Sequence, residues 1–248
     1  FSKTLLFLSE YSINRFKDYY CLSNPNLVII PGGVDLKGFH PLKPEENKKS
    51  ILEKLNLKKD VPLILTVRRL EERMGLENLI LAVEILLKKN PAKNFQLAMV
   101  GKGSLKQRLE DLIAEKKLSD TVHLTGLVPK KTLPLYFRVA DLFVLPTTAI
   151  EGFGLVTVEA FASGLPVMGT PVGATKEILA QVDQSLIFEG TSPESLAKGM
   201  EHFLDNPDHY SQLKLKCRET AEKNYSWEKV TDQTEKEFIK STFSNSPL

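Results

Sequence analysis

Two glutamates flank a glycine-rich turn, and their spacing indicates a ligand site. Seven residues separate Glu151 from Glu159, and the turn 152–154 (Gly-Phe-Gly) lies just after the first of them. Glycines let the backbone approach a ligand closely, and the helix predicted at 155–163 would present free N–H groups and a partial positive charge at its start. This combination favours a phosphate group or a polar sugar.

The two carboxylates suit hydroxyl groups better than phosphate, because like charges repel. We expect both to accept hydrogen bonds from hydroxyls, as an acidic residue does from a ribose in dinucleotide-binding folds. Helical side chains lean toward the N-terminus, so Glu159 can point back at the turn. Two alternatives stay open: Glu151 caps the helix while Glu159 lies on a solvated face, or the pair is the acid and nucleophile of a glycosidase.

The elements that must position this turn alternate between strand and helix. Apolar strands followed by amphipathic helices predict an α/β protein with a doubly wound, parallel, Rossmann-like sheet of about six strands and a helical C-terminus. Ser9, Ser192 with Pro193, and Trp227 are expected near the starts of helices, and Asn206-Pro207 is expected to divide two of them. The predicted strands are 4–8, 27–30, 62–67, 95–100, 122–124, 142–145, 166–170 and 185–188, and the predicted helices between them are 9–20, 49–55, 76–88, 105–116, 133–139 and 155–163.

Composition excludes several other classes of protein. The chain has 248 residues, of which 42% are hydrophobic and 26% charged, as in ordinary globular proteins, and its net charge of +2 is too small to predict a nucleic-acid partner. Its two cysteines lack metal-ligand spacing, and no apolar run approaches the length that spans a bilayer. We therefore expect a cytoplasmic location.

Several blocks together resemble the retaining glycosyltransferases of the GT-B fold, family four, also called glycosyltransferase group 1. The first is the E-x7-E pattern of Glu151 and Glu159, followed by Gly164-Leu-Pro-Val. The others agree with the family in order along nearly the whole chain: 30–35 (IPGGVD), 67–70 (VRRL), 100–103 (VGKG), 122–126 (VHLTG) and 171–174 (PVGA).

The resemblance implies an activity and a set of site residues. The activity is sugar transfer from a nucleotide-diphosphate donor, linked to UDP, GDP or ADP, with retention at the anomeric carbon and without a metal or cofactor. It implies that Glu151 is the catalytic residue and holds the transferred sugar, that Glu159 binds ribose hydroxyls, and that the segment near Gly126 meets the base. The donor-binding set is Arg69, Arg73, Gly126, Leu127, Gly152, Phe153, Gly154, Leu155 and Glu159.

One position departs from the family pattern. The arginine matched by Arg69 is followed in the family by a lysine five residues later, and both contact the donor diphosphate. Met74 occupies the lysine position here. The neighbouring Arg73 could supply a bidentate guanidinium instead, although it could equally be a surface residue.

The resemblance also predicts three parts of the chain. Residues 1–30 would be a remnant of an N-terminal domain, 31–225 the nucleotide-sugar-binding domain, and 226–248 a helix that crosses back to the missing domain. That domain would bind the acceptor, and a peripheral membrane contact through the same domain is a further possibility that the resemblance allows. The alternative to an enzyme is a nucleotide or sugar-phosphate binding module without turnover.

Overall fold

The computed structural model describes residues 4–21 and 25–243. Strands and helices alternate through most of this range. The strands are β1 (Thr4–Phe7), β2 (Asn26–Ile29), β3 (Leu63–Val67), β4 (Gln96–Val100), β5 (Val122–Gly126), β6 (Leu142–Leu145) and β7 (Val167–Gly169). The helices are α1 (Glu10–Tyr19), α2 (Lys48–Lys54), α3 (Leu76–Lys89), α4 (Lys106–Glu115), α5 (Leu133–Val139), α6 (Leu155–Ala162), α7 (Thr175–Leu179), α8 (Pro193–Asp205), α9 (Pro207–Asn224) and α10 (Trp227–Phe243).

The central sheet is parallel and has the order β5-β4-β3-β6-β7. From β3 the chain moves outward through β4 to β5, and then returns to place β6 on the other side of β3. The strand order therefore reverses between β3 and β6. In open α/β sheets a crevice forms at such a point, outside the carboxyl ends of the strands.

Continuous apolar runs form the core of this sheet. The side chains of β6 are all buried, and β3 is buried from Leu63 to Thr66. Helix α3 covers the sheet with one apolar face, on which Leu79, Ile80 and Val83 are fully buried. Because both faces of the sheet are covered, strands without polar alternation are stable. The prediction of a doubly wound α/β fold with a helical C-terminus is confirmed.

The predicted helices agree with the structure to within one residue at each end. The predicted caps are also present: the Ser9 side chain accepts from the Ser12 N–H, the Ser192 side chain accepts from the Ser195 N–H, and Pro193 is the first residue of α8. Asn206 lies between α8 and α9 as expected. These helix starts were readable because a cap depends on neighbouring residues only.

The expected number of strands was wrong, since the main sheet has five. The segment after α7 was the candidate for a further strand. There the Asp183 side chain accepts from the Ser185 N–H, which starts a 3₁₀ turn at Gln184–Leu186. Only Ile187 remains to form a single bridge with Gly169.

A small second sheet lies before the main one. Strands β1 and β2 pair in parallel, joined through α1. The segment after β2 contacts the start of the last helix. The Val34 N–H donates to the Tyr225 carbonyl, and Val34 forms a bridge with Ser226, just before α10. Within the described residues, none of the helices has the length and apolarity needed to cross a membrane.

Candidate functional site

A buried ion pair lies in the crevice between β3 and β6. Arg68 is the first residue after β3, and its Nη2 donates to Glu151 Oε2 at 2.6 Å. The exposed fractions of the two side chains are only 7% and 10%. Burial lowers the pKa of the Arg68 guanidinium, and the Glu151 carboxylate opposes that change. The first glutamate of the predicted site is therefore a paired, buried group.

Two further side chains complete this pair. The hydroxyl of Thr147, which is fully buried, accepts from Arg68 Nη2 at 2.9 Å and donates to Glu151 Oε2 at 3.0 Å. Arg68 Nη2 also lies 2.9 Å from the Met74 sulfur. Because Arg68 and Thr147 both act on Oε2, one oxygen of Glu151 is held on the protein side.

The loop after β7 holds the backbone of Glu151. The Ala174 N–H donates to the Glu151 carbonyl at 2.9 Å. Gly173 has a φ of +60°, and a Cβ added there would lie 2.0 Å from that carbonyl oxygen. Only glycine permits this close approach, which explains the Gly-Ala pair that ends the block 171–174.

The glycine turn follows directly and is held from the N-terminal side of the chain. The Gly152 carbonyl accepts from the hydroxyls of Ser9 at 2.7 Å and Ser12 at 3.3 Å. Gly154 adopts a φ of +82° immediately before α6. The N–H groups of Phe153, Gly154, Leu155 and Val156 donate to no described residue. The turn therefore offers backbone donors beside the buried carboxylate, as an anion site requires.

Glu159 lies on α6 in different surroundings from Glu151. It is half-buried, and its carboxylate accepts no hydrogen bond from a described residue. Burial alone raises its pKa from 4.5 to about 7. A carboxyl group without partners can accept hydrogen bonds from a ligand.

The remaining predicted residues surround the same edge of the sheet. Arg69 is exposed next to Arg68, and Arg73 Nη1 donates to the Ile150 carbonyl at 2.7 Å, just before Glu151. Both arginines are close enough to Arg68 to lower its pKa further. Met74, at the position of the family lysine, is buried.

Strand β5, two strands from β3, ends at Gly126, and Leu127 follows it. The Gly126 carbonyl accepts from the Gly101 N–H at 2.9 Å, and a Cβ added at Gly126 would meet no atom within 4 Å. Leu127 is 68% exposed. The end of β5 is therefore an open surface at the same carboxyl edge.

Sequence reasoning gave neither Arg68 nor Thr147 a role in the site. Two arginines follow β3, and the sequence does not show which of them turns inward. The available signal was Met74, which stands where the family has a lysine. When this cation is absent, a nearby arginine can supply the positive charge in its place. The structure identifies Arg68 as the buried cation beside Met74.

Comparison with known proteins places the chain in a family. Residues 47–224 match the family described as glycosyl transferases group 1. A GDP-mannose-dependent monoacylated alpha-(1-6)-phosphatidylinositol monomannoside mannosyltransferase of Corynebacterium glutamicum is 30% identical over 230 residues, which cover 90% of this chain and 58% of that protein. The chain spans 44% to 58% of the length of the curated relatives it matches.

Solved structures agree on the fold. A glycosyltransferase from Rickettsia africae superposes with a TM-score of 0.85 at 22% identity, covering 99% of this chain and 65% of that one. An Anabaena protein solved in complex with UDP and glucose superposes with a TM-score of 0.82 at 19% identity, covering 99% and 64%. The chain therefore belongs to the family of glycosyl transferases group 1, and its fold is that of GT-B glycosyltransferases.

Proposed function

We propose that this chain is the donor-binding part of a retaining hexosyltransferase that uses a nucleotide-diphosphate sugar. The observation that carries the proposal is the combination found at the reversal of strand order. There four backbone N–H groups without a partner among the described residues, at the glycine turn and the start of α6, lie beside the buried carboxylate of Glu151. Helix α6 also carries Glu159, whose carboxylate accepts from no described residue. N–H donors suit the donor phosphates, and carboxylates suit the hydroxyls of ribose and sugar.

The donor groups divide among the site residues as the family resemblance implies. Glu151 holds the transferred sugar with the turn of Gly152, Phe153, Gly154 and Leu155, and Glu159 accepts from the ribose hydroxyls. Leu127 and the backbone at Gly126 meet the base. The relative from Corynebacterium supports GDP-mannose as the first donor to test.

Catalysis in this proposal comes from electrostatics and positioning. Arg69 and Arg73 neutralise the leaving diphosphate together with the N–H groups at the start of α6, without a metal. Arg73 in the role of the family lysine is part of the proposal. Its second Nη nitrogen makes no bond to a described residue, so it is available to an anion. No covalent nucleophile is invoked for retention.

The acceptor side belongs to a part of the enzyme outside this chain. We assign residues 1–30 to the end of an N-terminal domain, 31–225 to the donor domain and 226–248 to a segment that returns to the first domain through α10. Of these ranges, residues 1–3, 22–24 and 244–248 lie outside the described residues. In this assignment the chain alone binds donor without transferring sugar, and the complete enzyme acts in the cytoplasm on an acceptor held by the other domain. A binding module without turnover is the second candidate, favoured by the loss of the lysine at Met74.

Calorimetric titration with UDP, GDP, ADP and GDP-mannose tests the proposal. We expect saturable binding of one nucleotide family, weakened at least tenfold by Glu159→Ala, because several hydrogen bonds to a charged acceptor are lost. Glu219→Ala is the matched control, since Glu219 is an exposed helical glutamate on α9. If no nucleotide binds, or if both variants behave alike, the assignment of this site is wrong. A measurement of sugar transfer by the full-length protein then distinguishes the two candidate functions, because only an enzyme transfers sugar.

A further inference from the structure

The two oxygens of Glu151 have different surroundings. Oε2 accepts from Arg68 and from Thr147, whereas Oε1 accepts from no described residue. A Cβ added at Gly154 would lie 3.7 Å from Oε1, so this oxygen faces the glycine turn. The carboxylate is thus locked through one oxygen and open through the other.

The contacts that hold Glu151 Oε2 are not explained by stability alone. A single nitrogen of Arg68, Nη2, contacts Glu151, Thr147 and Met74, while the buried Nε of the same side chain has no partner among the residues that the structure describes. Burying a charged pair with an unpartnered donor carries a desolvation penalty, and an apolar pair of similar volume is often as stable. Such an arrangement is better explained by a requirement on the position of Glu151.

The position of Met74 makes this requirement stronger. Its sulfur lies against Arg68 Nη2, where a lysine side chain would bring a second buried cation. The methionine sulfur is uncharged, so it does not compete with Arg68 for the Glu151 carboxylate. With methionine there, Arg68 is the one cation that pairs with Glu151 in the described residues.

We infer that Arg68, supported by Thr147, is the positioning residue that holds Glu151 through Oε2 and directs Oε1 at the hydroxyl groups of the transferred sugar. This inference rests on the proposed function and adds to it, since the family resemblance gave Arg68 no role. The three arginines then have different roles, because Arg69 and Arg73 bind the diphosphate whereas Arg68 orients the carboxylate.

The test compares nucleotide sugars with the corresponding nucleotides. Titrations of the 248-residue chain use GDP-mannose with GDP, UDP-glucose with UDP, and ADP-glucose with ADP, so that each ratio of affinities isolates the sugar. Arg68→Lys keeps the positive charge but cannot reproduce the planar guanidinium. We expect the wild-type preference for the sugar nucleotide to fall roughly tenfold in Arg68→Lys while the affinity for the nucleotide changes little.

Thr147→Val is the second variant, because valine has nearly the shape of threonine and replaces the hydroxyl with a methyl group that cannot hydrogen-bond. It should lower the sugar preference in the same direction but less. Combining either change with Glu151→Gln should add little further loss, because both act through the same carboxylate. If Arg68→Lys does not fold, the sugar preference of Thr147→Val still tests the inference.

Different results point to different failures. Failure of the wild-type chain to bind any nucleotide contradicts the proposed function. Unchanged sugar preference in Arg68→Lys and Thr147→Val, with normal nucleotide binding, overturns the role of Arg68 alone. A crystal structure of ligand-free Arg68→Lys tests the contact without any nucleotide: the carboxylate should leave Thr147, and an unmoved Glu151 would also overturn the inference.

Discussion

Ser9 donates its hydroxyl hydrogen to the carbonyl of Gly152 at 2.7 Å, across 143 positions of sequence. Ser12 donates to the same carbonyl, and the Glu177 carboxylate accepts from the N–H groups of Glu10 and Tyr11 at the start of α1. In a trans peptide the C=O and N–H groups point in opposite directions, so α1 turns the N–H of the following residue away from itself. The N-terminal helix therefore sets the plane of the glycine turn.

Ser9→Ala should weaken donor binding as well as stability. The change removes one hydrogen bond to the turn, worth about 0.5–1.5 kcal/mol, which corresponds to a loss of roughly two- to tenfold in affinity if the turn becomes free to rotate. It also removes the helix cap, which lowers the free energy of unfolding by about 1 kcal/mol. Calorimetric titration with the nucleotide that the wild-type chain binds measures the change in affinity. Thermal unfolding measures the change in stability.

Two controls test whether the effects come from the Ser9 hydroxyl. Ser9→Thr keeps a hydroxyl for the cap and for the turn and should bind more tightly than Ser9→Ala, and Ser211→Ala alters an exposed serine of α9. A Ser9→Ala protein that is less stable but binds the nucleotide with wild-type affinity would contradict a role for α1 in positioning the turn.

Two glycines near Glu151 should respond in opposite ways to alanine. A Cβ at Gly173 would collide with the Glu151 carbonyl, and its φ of +60° is unfavourable for alanine, so Gly173→Ala should destabilise the fold by roughly 1–3 kcal/mol. A Cβ at Gly152 would meet no protein atom within 4 Å. Gly152→Ala should therefore keep the wild-type melting temperature and lose donor affinity, because the methyl group enters space open to the ligand.

Thermal unfolding and nucleotide titration of both variants check this contrast. Gly190→Ala is a suitable reference, because the nearest atom to its added Cβ is 3.9 Å away. Normal nucleotide binding by Gly152→Ala would mean that the donor does not approach the turn from that side.

Local pattern was sufficient to predict the main elements of the fold. The apolar strands, the amphipathic faces of α3 and α4, and the caps at Ser9 and Ser192 depend on residues close in sequence, and these are present where predicted. The further strand near Ser185 was not readable in the same way. There a single side-chain bond from Asp183 starts a 3₁₀ turn and shortens the extended segment to one bridging residue.

The glycine turn at the centre of the site could be predicted from the sequence, whereas the residues that hold Glu151 and the turn in place could not. Glycines beside Glu151 indicate a ligand turn in any sequence of this kind. The choice of Arg68 over Arg69 as the buried cation depends on the direction in which the chain leaves β3, and that is set by its pairing with Val100. The contact between Ser9 and Gly152 joins distant segments, and no local pattern announces it.

The pKa of Glu159 predicts two pH dependences. In the folded state burial raises this pKa from 4.5 to about 7, so between these values the folded chain keeps a proton that the unfolded chain has lost. Its contribution to the free energy of unfolding is therefore intact below about pH 4.5, falls as the pH rises, and is level above about pH 7. Glu159→Gln, which stays neutral, should remove this slope in denaturant unfolding, whereas Glu219→Gln should not.

Donor binding should follow the same titration in the opposite direction. Ribose hydroxyls donate more strongly to a carboxylate than to a neutral carboxyl, so affinity for the sugar nucleotide should rise as the pH increases through about 7 and then level off. GDP-mannose suits the measurement, because its diphosphate is esterified at both ends and does not titrate in this range. Glu159→Gln should bind more weakly at high pH and show no rise. A wild-type affinity that is constant from about pH 5 to about pH 9 would contradict this prediction, since a ligand that accepts this carboxylate as a partner must shift a raised pKa.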